Sequence, residues 1–122
     1  MDLQNERRLE QFFRLLELPV TKIESRMEFV LRPFRLYVEY VQGRLLLSLG
    51  LPVEASRGTE ALKKLLGLCL PARTQGVPLR GYVVKDNLVL SCAPPAGSDV
   101  AQWRTCYQAM RRLLEMSTGA AR

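Results

Sequence analysis

Three cysteines and a complete absence of histidine define the chemistry open to this 122-residue chain. Cys69, Cys92 and Cys106 stand 23 and 14 residues apart among apolar neighbours. This is neither the spacing of a CxxC site nor an even-numbered disulfide framework. Without histidine there is no imidazole base for a thiol or hydroxyl nucleophile, and no histidine ligand for zinc. We therefore predict three buried, reduced thiols with a structural role rather than a thiol or Ser-His-Asp enzyme.

The carboxylates are the remaining groups that could perform acid–base chemistry. Glu24 and Glu28 share a face of a predicted strand, but Lys22, Arg26 and Arg32 lie among them. This mixture is typical of a solvated, salt-bridged surface. The sequence contains no EF-hand loop, HExxH, GxGxxG or GxxxxGK[ST] motif. We therefore predict no enzymatic activity, no metal and no cofactor.

The net charge of +6 comes from 18 basic and 12 acidic residues. The arginines are dispersed along the chain, and the adjacent basic pairs are Arg7-Arg8, Lys63-Lys64 and Arg111-Arg112. Nucleic-acid modules of this size usually carry a basic stripe with aromatic residues or a diagnostic loop. A small basic RNA- or DNA-binding module is therefore the alternative function, and the dispersed charge disfavours it.

Hydrophobic periodicity predicts the elements that would position any binding surface. Helical spacing of apolar residues indicates three helices, and alternation or apolar runs indicate five strands. The helices are predicted over residues 3–17, 60–70 and 99–116, and the strands over 24–32, 34–40, 44–51, 79–84 and 88–93. We predict one α+β domain over residues 1–122, with an antiparallel sheet, packed helices, the order α-β-β-β-α-β-β-α and a frayed tail at 117–122.

The second predicted helix is apolar on nearly every side. Leu62, Leu65, Leu66, Leu68 and Leu70 occupy much of its surface, a pattern typical of a helix buried on two sides. We predict that one of these sides contacts a partner subunit. No secretory signal is visible, and the most apolar stretch is 9 residues long, well short of the roughly 20 that a membrane helix needs. We expect an intracellular protein without a membrane partner.

Nearly the whole chain follows one ordered pattern. An amphipathic helix around Leu9 to Leu16 precedes a hairpin from Phe34 to Leu49, and a strand pair from Gly81 to Ala93 precedes a long helix from Asp99 to Met116. In length and order this pattern resembles the small class I chaperones of bacterial type III secretion systems. The resemblance implies a non-enzymatic cytoplasmic protein that binds an extended segment of a secreted effector or gatekeeper protein and keeps it competent for export.

The resemblance also implies where partners bind. A homodimer, or a heterodimer with a related chaperone, would pair through the second helix and the following strand, at Leu62, Leu65, Leu66, Cys69, Leu79, Tyr82 and Val84. The client would lie over apolar patches of the first helix and the sheet, at Phe12, Phe13, Leu16, Phe29, Leu36 and Val38. Members of that family are commonly acidic, and the +6 charge of this chain suggests an acidic partner.

Overall fold

A computed structural model describes residues 2–119. The helices and strands are α1 (Leu3–Leu15), β1 (Arg26–Leu31), β2 (Phe34–Val41), β3 (Arg44–Pro52), α2 (Gly58–Leu68), β4 (Arg80–Val84), β5 (Asn87–Cys92) and α3 (Val100–Thr118). Two short 3-10 helices, Ala55–Arg57 and Pro71–Thr74, flank α2. The predicted α+β class and the order α-β-β-β-α-β-β-α are confirmed.

The five strands form one antiparallel sheet in the order β1-β2-β3-β5-β4. The strand β3 is central, with Leu49 opposite Leu36 of β2 on one side and Leu90 of β5 on the other. Gln42-Gly43 and Lys85-Asp86, all with positive φ, form the tight turns between β2 and β3 and between β4 and β5. The sheet edges are therefore β1 and β4.

One face of the sheet is covered by the three helices. Strand alternation directs Leu36, Leu47 and Leu90 towards the helices, and these side chains are fully buried. They join a core that includes Leu9 of α1 and Met110 of α3. The other face, which we call the open face, has no helical layer over it among the described residues. Its outward side chains are the odd-numbered residues of β2 and β5 and the even-numbered residues of β1, β3 and β4.

Aromatic contacts attach α1 to the rest of the domain. The ring of Phe12 meets Trp103 of α3 edge-on, with centroids 5.8 Å apart and planes at 86°. The neighbouring ring of Phe13 lies 4.9 Å from Phe29 of β1. Both α1 rings are buried, so the amphipathic first helix contributes its apolar stripe to the core.

The last helix is longer than predicted. Ser117 is buried and its hydroxyl donates to the Leu113 carbonyl at 2.7 Å, while the Thr118 hydroxyl donates to the Leu114 carbonyl at 2.9 Å. Residues 117 and 118 of the predicted frayed tail are therefore part of α3, because these two side chains are held within its last turn. Residues 120–122 of that predicted tail lie outside the described residues. Within 2–119, no helix is long and apolar enough to cross a membrane.

Candidate functional site

The cysteines lie inside the fold rather than at a reactive surface. Cys92 of β5 and Cys106 of α3 are buried and unbridged, and Cys69 is half-buried after α2. The hydrogen bond with Cys106 and burial raise the pKa of the Cys92 thiol. Burial also raises the pKa of Cys69, against the opposing effect of Arg73. The sequence predicts that all three thiols are buried. Cys69 is only half-buried, because it lies at the edge of the core, where the chain leaves α2.

No metal centre is assembled in the described part of the chain. Among residues 2–119, no group of three or more cysteine, aspartate or glutamate side chains comes together to hold an ion. The described residues are instead marked by apolar surface. Large apolar side chains with at least a third of their surface exposed are Leu3, Leu15, Val30, Tyr37, Val41, Leu46, Leu66, Leu70, Tyr82, Val83 and Val84.

Three of these side chains lie on α2, just beyond its end, or on the helical side of β4. Leu66 and Leu70 are each 53% exposed, and Val83 of β4 is 39% exposed. Leu66 reaches over Gly81, where a Cβ atom would lie 3.4 Å from its Cδ2 atom. We call these three residues, Leu66, Leu70 and Val83, the α2–β4 seam. It adjoins the outer edge of β4, which pairs with β5 on one side only.

The outer edge of β4 carries little protection against strand pairing. Arg80 is its one charged residue, followed by Gly81, Tyr82, Val83 and Val84. The opposite edge strand, β1, carries Arg26 and Glu28, whose partners are Glu39 at 4.0 Å and Arg35 at 3.1 Å on β2. Charged side chains on an edge strand discourage pairing with another chain. The β4 edge is therefore the more open of the two to a further strand.

The residues predicted for the dimer interface divide into three groups. Leu66 is exposed in the seam, while Leu62, Cys69 and Leu79 are half-buried beside it. Leu65 is fully buried and belongs to the core, because α2 turns this side towards the sheet. Tyr82 and Val84 project from the opposite face of β4. Successive residues of a strand point to opposite faces, so the even-numbered Tyr82 and Val84 and the odd-numbered Leu79 cannot share a face. The sequence alone already contained this information.

The residues predicted to bind the client are mostly interior. Phe12, Phe13, Leu36 and Val38 are at most 2% exposed. They cannot offer a surface to a client in the folded chain, since all four belong to the buried core. Leu16 and Phe29 are half-buried at the margin of the same cluster. The helical and strand periods correctly identified an apolar face, and that face is used by the core.

A groove lies beside these residues, between the end of α1 and the segment that leads to β1. Its volume is about 320 Å³, and its lining is half apolar and half polar. The apolar residues are Phe13, Leu18, Val20 and Ile23, and the polar ones are Glu10, Arg14, Thr21 and Lys22. Leu18, Val20 and Ile23 are half-buried. Sequence reasoning missed this segment because it has neither helical nor strand periodicity. We call it the α1 groove.

A second concave surface runs along the open face. Small residues of the two middle strands, Ser48, Gly50 and Ser91, form its floor, with Val89 beside them. The Ser48 and Ser91 hydroxyls are 2.9 Å apart, and the Tyr82 hydroxyl lies 3.0 Å from Ser91. Since Tyr82 is registered opposite Val89, its ring lies along β5 and shields this floor. Two adjoining concavities of about 340 and 440 Å³ make up this surface, which we call the open-face trough.

The rim of the open-face trough is cationic. Its two concavities are lined by Arg35, Arg44, Arg80 and Lys85 and by one carboxylate, that of Glu39. Arg35 pairs with Glu28 at 3.1 Å, and Glu39 lies 4.0 Å from Arg26. Arg44 reaches the carbonyls of Ala93 and Pro94 at 3.4 and 3.5 Å. No described carboxylate lies within 4 Å of Arg44, Arg80 or Lys85.

Comparison with known proteins places this arrangement in a family. The SsaM family model matches residues 2–117. A relative, "Secretion system apparatus protein SsaM" of Salmonella typhimurium (strain LT2), is 30% identical over 114 residues, which cover 93% of each chain.

Two solved structures share the fold. A chain of the HopA1–SchA chaperone–effector complex superimposes with a TM-score of 0.58 at 22% identity, covering 98% of this chain and 96% of its own. YbjN from E. coli gives a TM-score of 0.58 at 14% identity, with 97% and 89% covered. The predicted likeness to secretion chaperones is confirmed in the fold.

Proposed function

We propose that this chain, which belongs to the SsaM family, acts as a non-enzymatic cytoplasmic chaperone of a bacterial type III secretion system. In this role it binds an extended segment of a secreted effector or gatekeeper protein and keeps that segment competent for export. The proposal is supported by the name of the Salmonella relative, a secretion system apparatus protein. It is also supported by a fold shared with a chain from a chaperone–effector complex.

The observation that carries the proposal is the α2–β4 seam beside an unpaired strand edge. More than half of the Leu66 and Leu70 surface is exposed, on a chain that has an otherwise well-formed core. Burying such side chains in a second subunit is favourable by about 25 cal/mol for each Å² of apolar surface removed from water. The β4 edge supplies unpaired backbone groups at the same place. We propose that two subunits, identical or related, pair here.

The α1 groove is the proposed position of the client. An extended peptide can place alternate side chains in apolar pockets while its backbone bonds to a free strand edge. The groove offers the half-buried side chains of Leu18, Val20 and Ile23, and β1 pairs with β2 on one side only. This arrangement moves the predicted client surface from the interior ring of Phe12 to the margin around Leu16 and Phe29.

The pairing of subunits is tested by the mass of the protein in solution. We expect the unaltered chain to have twice its chain mass of 13.9 kDa in light scattering. Leu66→Asp should reduce it to the mass of one chain, since a carboxylate in a buried apolar seam has no partner. Lys64→Asp is the matched control, because Lys64 is exposed on the side of α2 that faces Ser117. A single-chain mass for the unaltered protein would refute the seam.

Client binding is tested in the native host. We expect the chain to co-purify with a protein that the type III system exports, and Val20→Asp to reduce both that association and the export of the same protein. Val41→Asp is the control, because Val41 is an exposed valine on the open face, away from the α1 groove. Equal export with both variants would show that the groove does not bind the client.

A further inference from the structure

We infer that the open-face trough is a second binding site, and that it takes an acidic amphipathic helix of a partner protein. This goes beyond the proposed function, because neither the α2–β4 seam nor the α1 groove forms part of the trough. Six of the eleven exposed large apolar side chains project from the open face: Val30, Tyr37, Val41, Leu46, Tyr82 and Val84. The trough is where this face is concave.

The shape of the trough suits a helix. Ser48, Gly50 and Ser91 place only small side chains on β3 and β5, and Tyr37 of β2 stands on one side. The ring of Tyr82 lies along β5 with its hydroxyl 3.0 Å from Ser91, so a helix here would pack on that ring. The six residues of β5 span about 17 Å, a length covered by about eleven residues of helix. Helices pack readily on one face of an antiparallel sheet, as the three helices of this chain do on the other.

The backbone of the sheet also favours a helix over an extended segment. The trough lies over β3 and β5, whose backbone groups already bond to strands on both sides. An extended peptide laid on this face would find no backbone partners for its own N–H and C=O groups. A helix satisfies these groups internally and offers only side chains, which is what the trough can bind.

The positive charge of the rim favours a partner with negative charge. Arg44 and Arg80 flank the larger concavity and Lys85 flanks the smaller one, each without a carboxylate within 4 Å among residues 2–119. Glu39, the one acidic lining residue, lies 4.0 Å from Arg26. Charges at the rim of an interface contribute mainly to partner selection and to the association rate. An apolar helix with acidic flanks complements both the floor and the rim.

Two other occupants fit less well. A second copy of this chain would bring the same cations into contact with Arg44 and Arg80, which is a repulsive pairing. A nucleic acid would satisfy the cations and could stack bases on the tyrosine rings, but its charged backbone would leave the aliphatic side chains of Leu46 and Val84, 36% and 46% exposed, without an apolar cover. An acidic helix is the occupant that satisfies the charge and the apolar surface together.

The experiment titrates the full chain with a synthetic helical peptide. The peptide has about 18 residues, leucines at positions i, i+3, i+4 and i+7, and glutamates on both flanks, since shorter peptides form weak helices in water. A second peptide carries lysine in place of each glutamate. We expect calorimetry to show binding of the glutamate peptide, weakened by salt, and at least about tenfold weaker binding of the lysine peptide. Amide signals of β3, β5 and β4 should shift on titration, and those of α1 should not.

Matched charge reversals locate the site. Arg44→Glu with Arg80→Glu should weaken binding of the glutamate peptide by about tenfold or more. Arg104→Glu with Arg112→Glu makes the same change in net charge on exposed positions of α3, on the opposite side of the sheet, and should leave the affinity unchanged. Equal losses in the two double variants would overturn the inference, as would failure of the glutamate peptide to bind.

Two more measurements test whether the trough prefers a nucleic acid and whether it depends on the α2–β4 seam. A single-stranded oligonucleotide that binds the same rim more tightly than the glutamate peptide would assign the trough to nucleic acid and refute the proposal. Leu66→Asp should leave peptide binding unchanged, because Leu66 lies on the helical side of β4. A failed dimer test combined with intact peptide binding would therefore refute the proposed seam and leave the trough standing.

Discussion

Gly81 of β4 lies directly beneath Leu65 of α2, so close that a Cβ atom at position 81 would stand 3.1 Å from Leu65 Cδ2. This contact fixes the distance between the helix and the edge strand. It also determines how far Leu66, one residue on, projects from the surface. Because position 81 carries no side chain, α2 can pack close enough to β4 to bury Leu65 in the core while Leu66 lies in the α2–β4 seam.

Glycine substitutions in β4 and α2 should have opposite effects on stability. Gly81→Ala should lower the free energy of unfolding by about 1 kcal/mol, because the fully buried Leu65 has little room to move away. Gly67→Ala should raise it by about 0.5–1 kcal/mol, since Gly67 is exposed within α2 and a Cβ atom there meets nothing within 4 Å. Urea unfolding of both variants measures the difference. A gain from Gly81→Ala would show that α2 is free to shift.

The assignment of Phe12 to the core predicts a large cost for its removal. Phe12→Ala should lower the free energy of unfolding by about 3–5 kcal/mol, because the ring is fully buried against Trp103. Leu15→Ala, on the exposed side of the same helix, should change it by less than about 0.5 kcal/mol. Thermal melts followed by circular dichroism compare the two. If both variants changed the free energy of unfolding only slightly, Phe12 would not be a core residue and could belong to the client surface.

The thiols should react in a fixed order. We expect Cys69 to be modified first by a thiol reagent, with Cys92 and Cys106 protected until the chain unfolds, since these two are buried. Because the pKa of Cys69 is raised above its ordinary value of 9.0, labelling should be slow at neutral pH and accelerate as the pH rises past 9. Because the pKa of Cys69 is higher in the folded chain than in the unfolded chain, the folded chain holds the thiol proton more tightly. The resulting contribution of Cys69 to the free energy of unfolding is complete below pH 9 and is lost progressively as the pH rises above it. Mass spectrometry measures how many thiols are labelled over time, and Cys69→Ser is the control. Rapid labelling of Cys92 or Cys106 in that variant would contradict the predicted order of reaction.

Much of the fold could be predicted from periodicity alone. Alternation of Phe34, Leu36 and Val38 with charged or polar residues identified β2, and prolines after Leu18 and Leu70 marked the ends of the helical segments. The position of β5 beside β3 could not be predicted, because this pairing joins residues about forty positions apart across α2. Long-range pairing depends on how the helices pack, which no local pattern contains.

The candidate surfaces were less predictable than the elements. An amphipathic pattern identifies an apolar face without saying whether the same chain or a partner covers it. The resemblance implies a client surface at Phe12 and Leu36, and the pattern alone cannot tell that the chain buries both side chains itself. The trough was visible in outline, since Ser48 and Gly50 alternate with the leucines of β3. Its depth depends on Ser91 and Tyr82, which come from later strands.

The edge-on contact between Phe12 and Trp103 gives the protein a built-in optical reporter. Trp103 is the only tryptophan of the chain, it is 4% exposed, and its indole N–H donates to Ser98 at 2.9 Å. Its emission therefore comes from one position, the junction between α1 and α3. If α1 detaches before the sheet unfolds, the emission shifts to the red while the far-ultraviolet signal of the strands is still intact. Docking of the first helix can thus be followed without attaching a label.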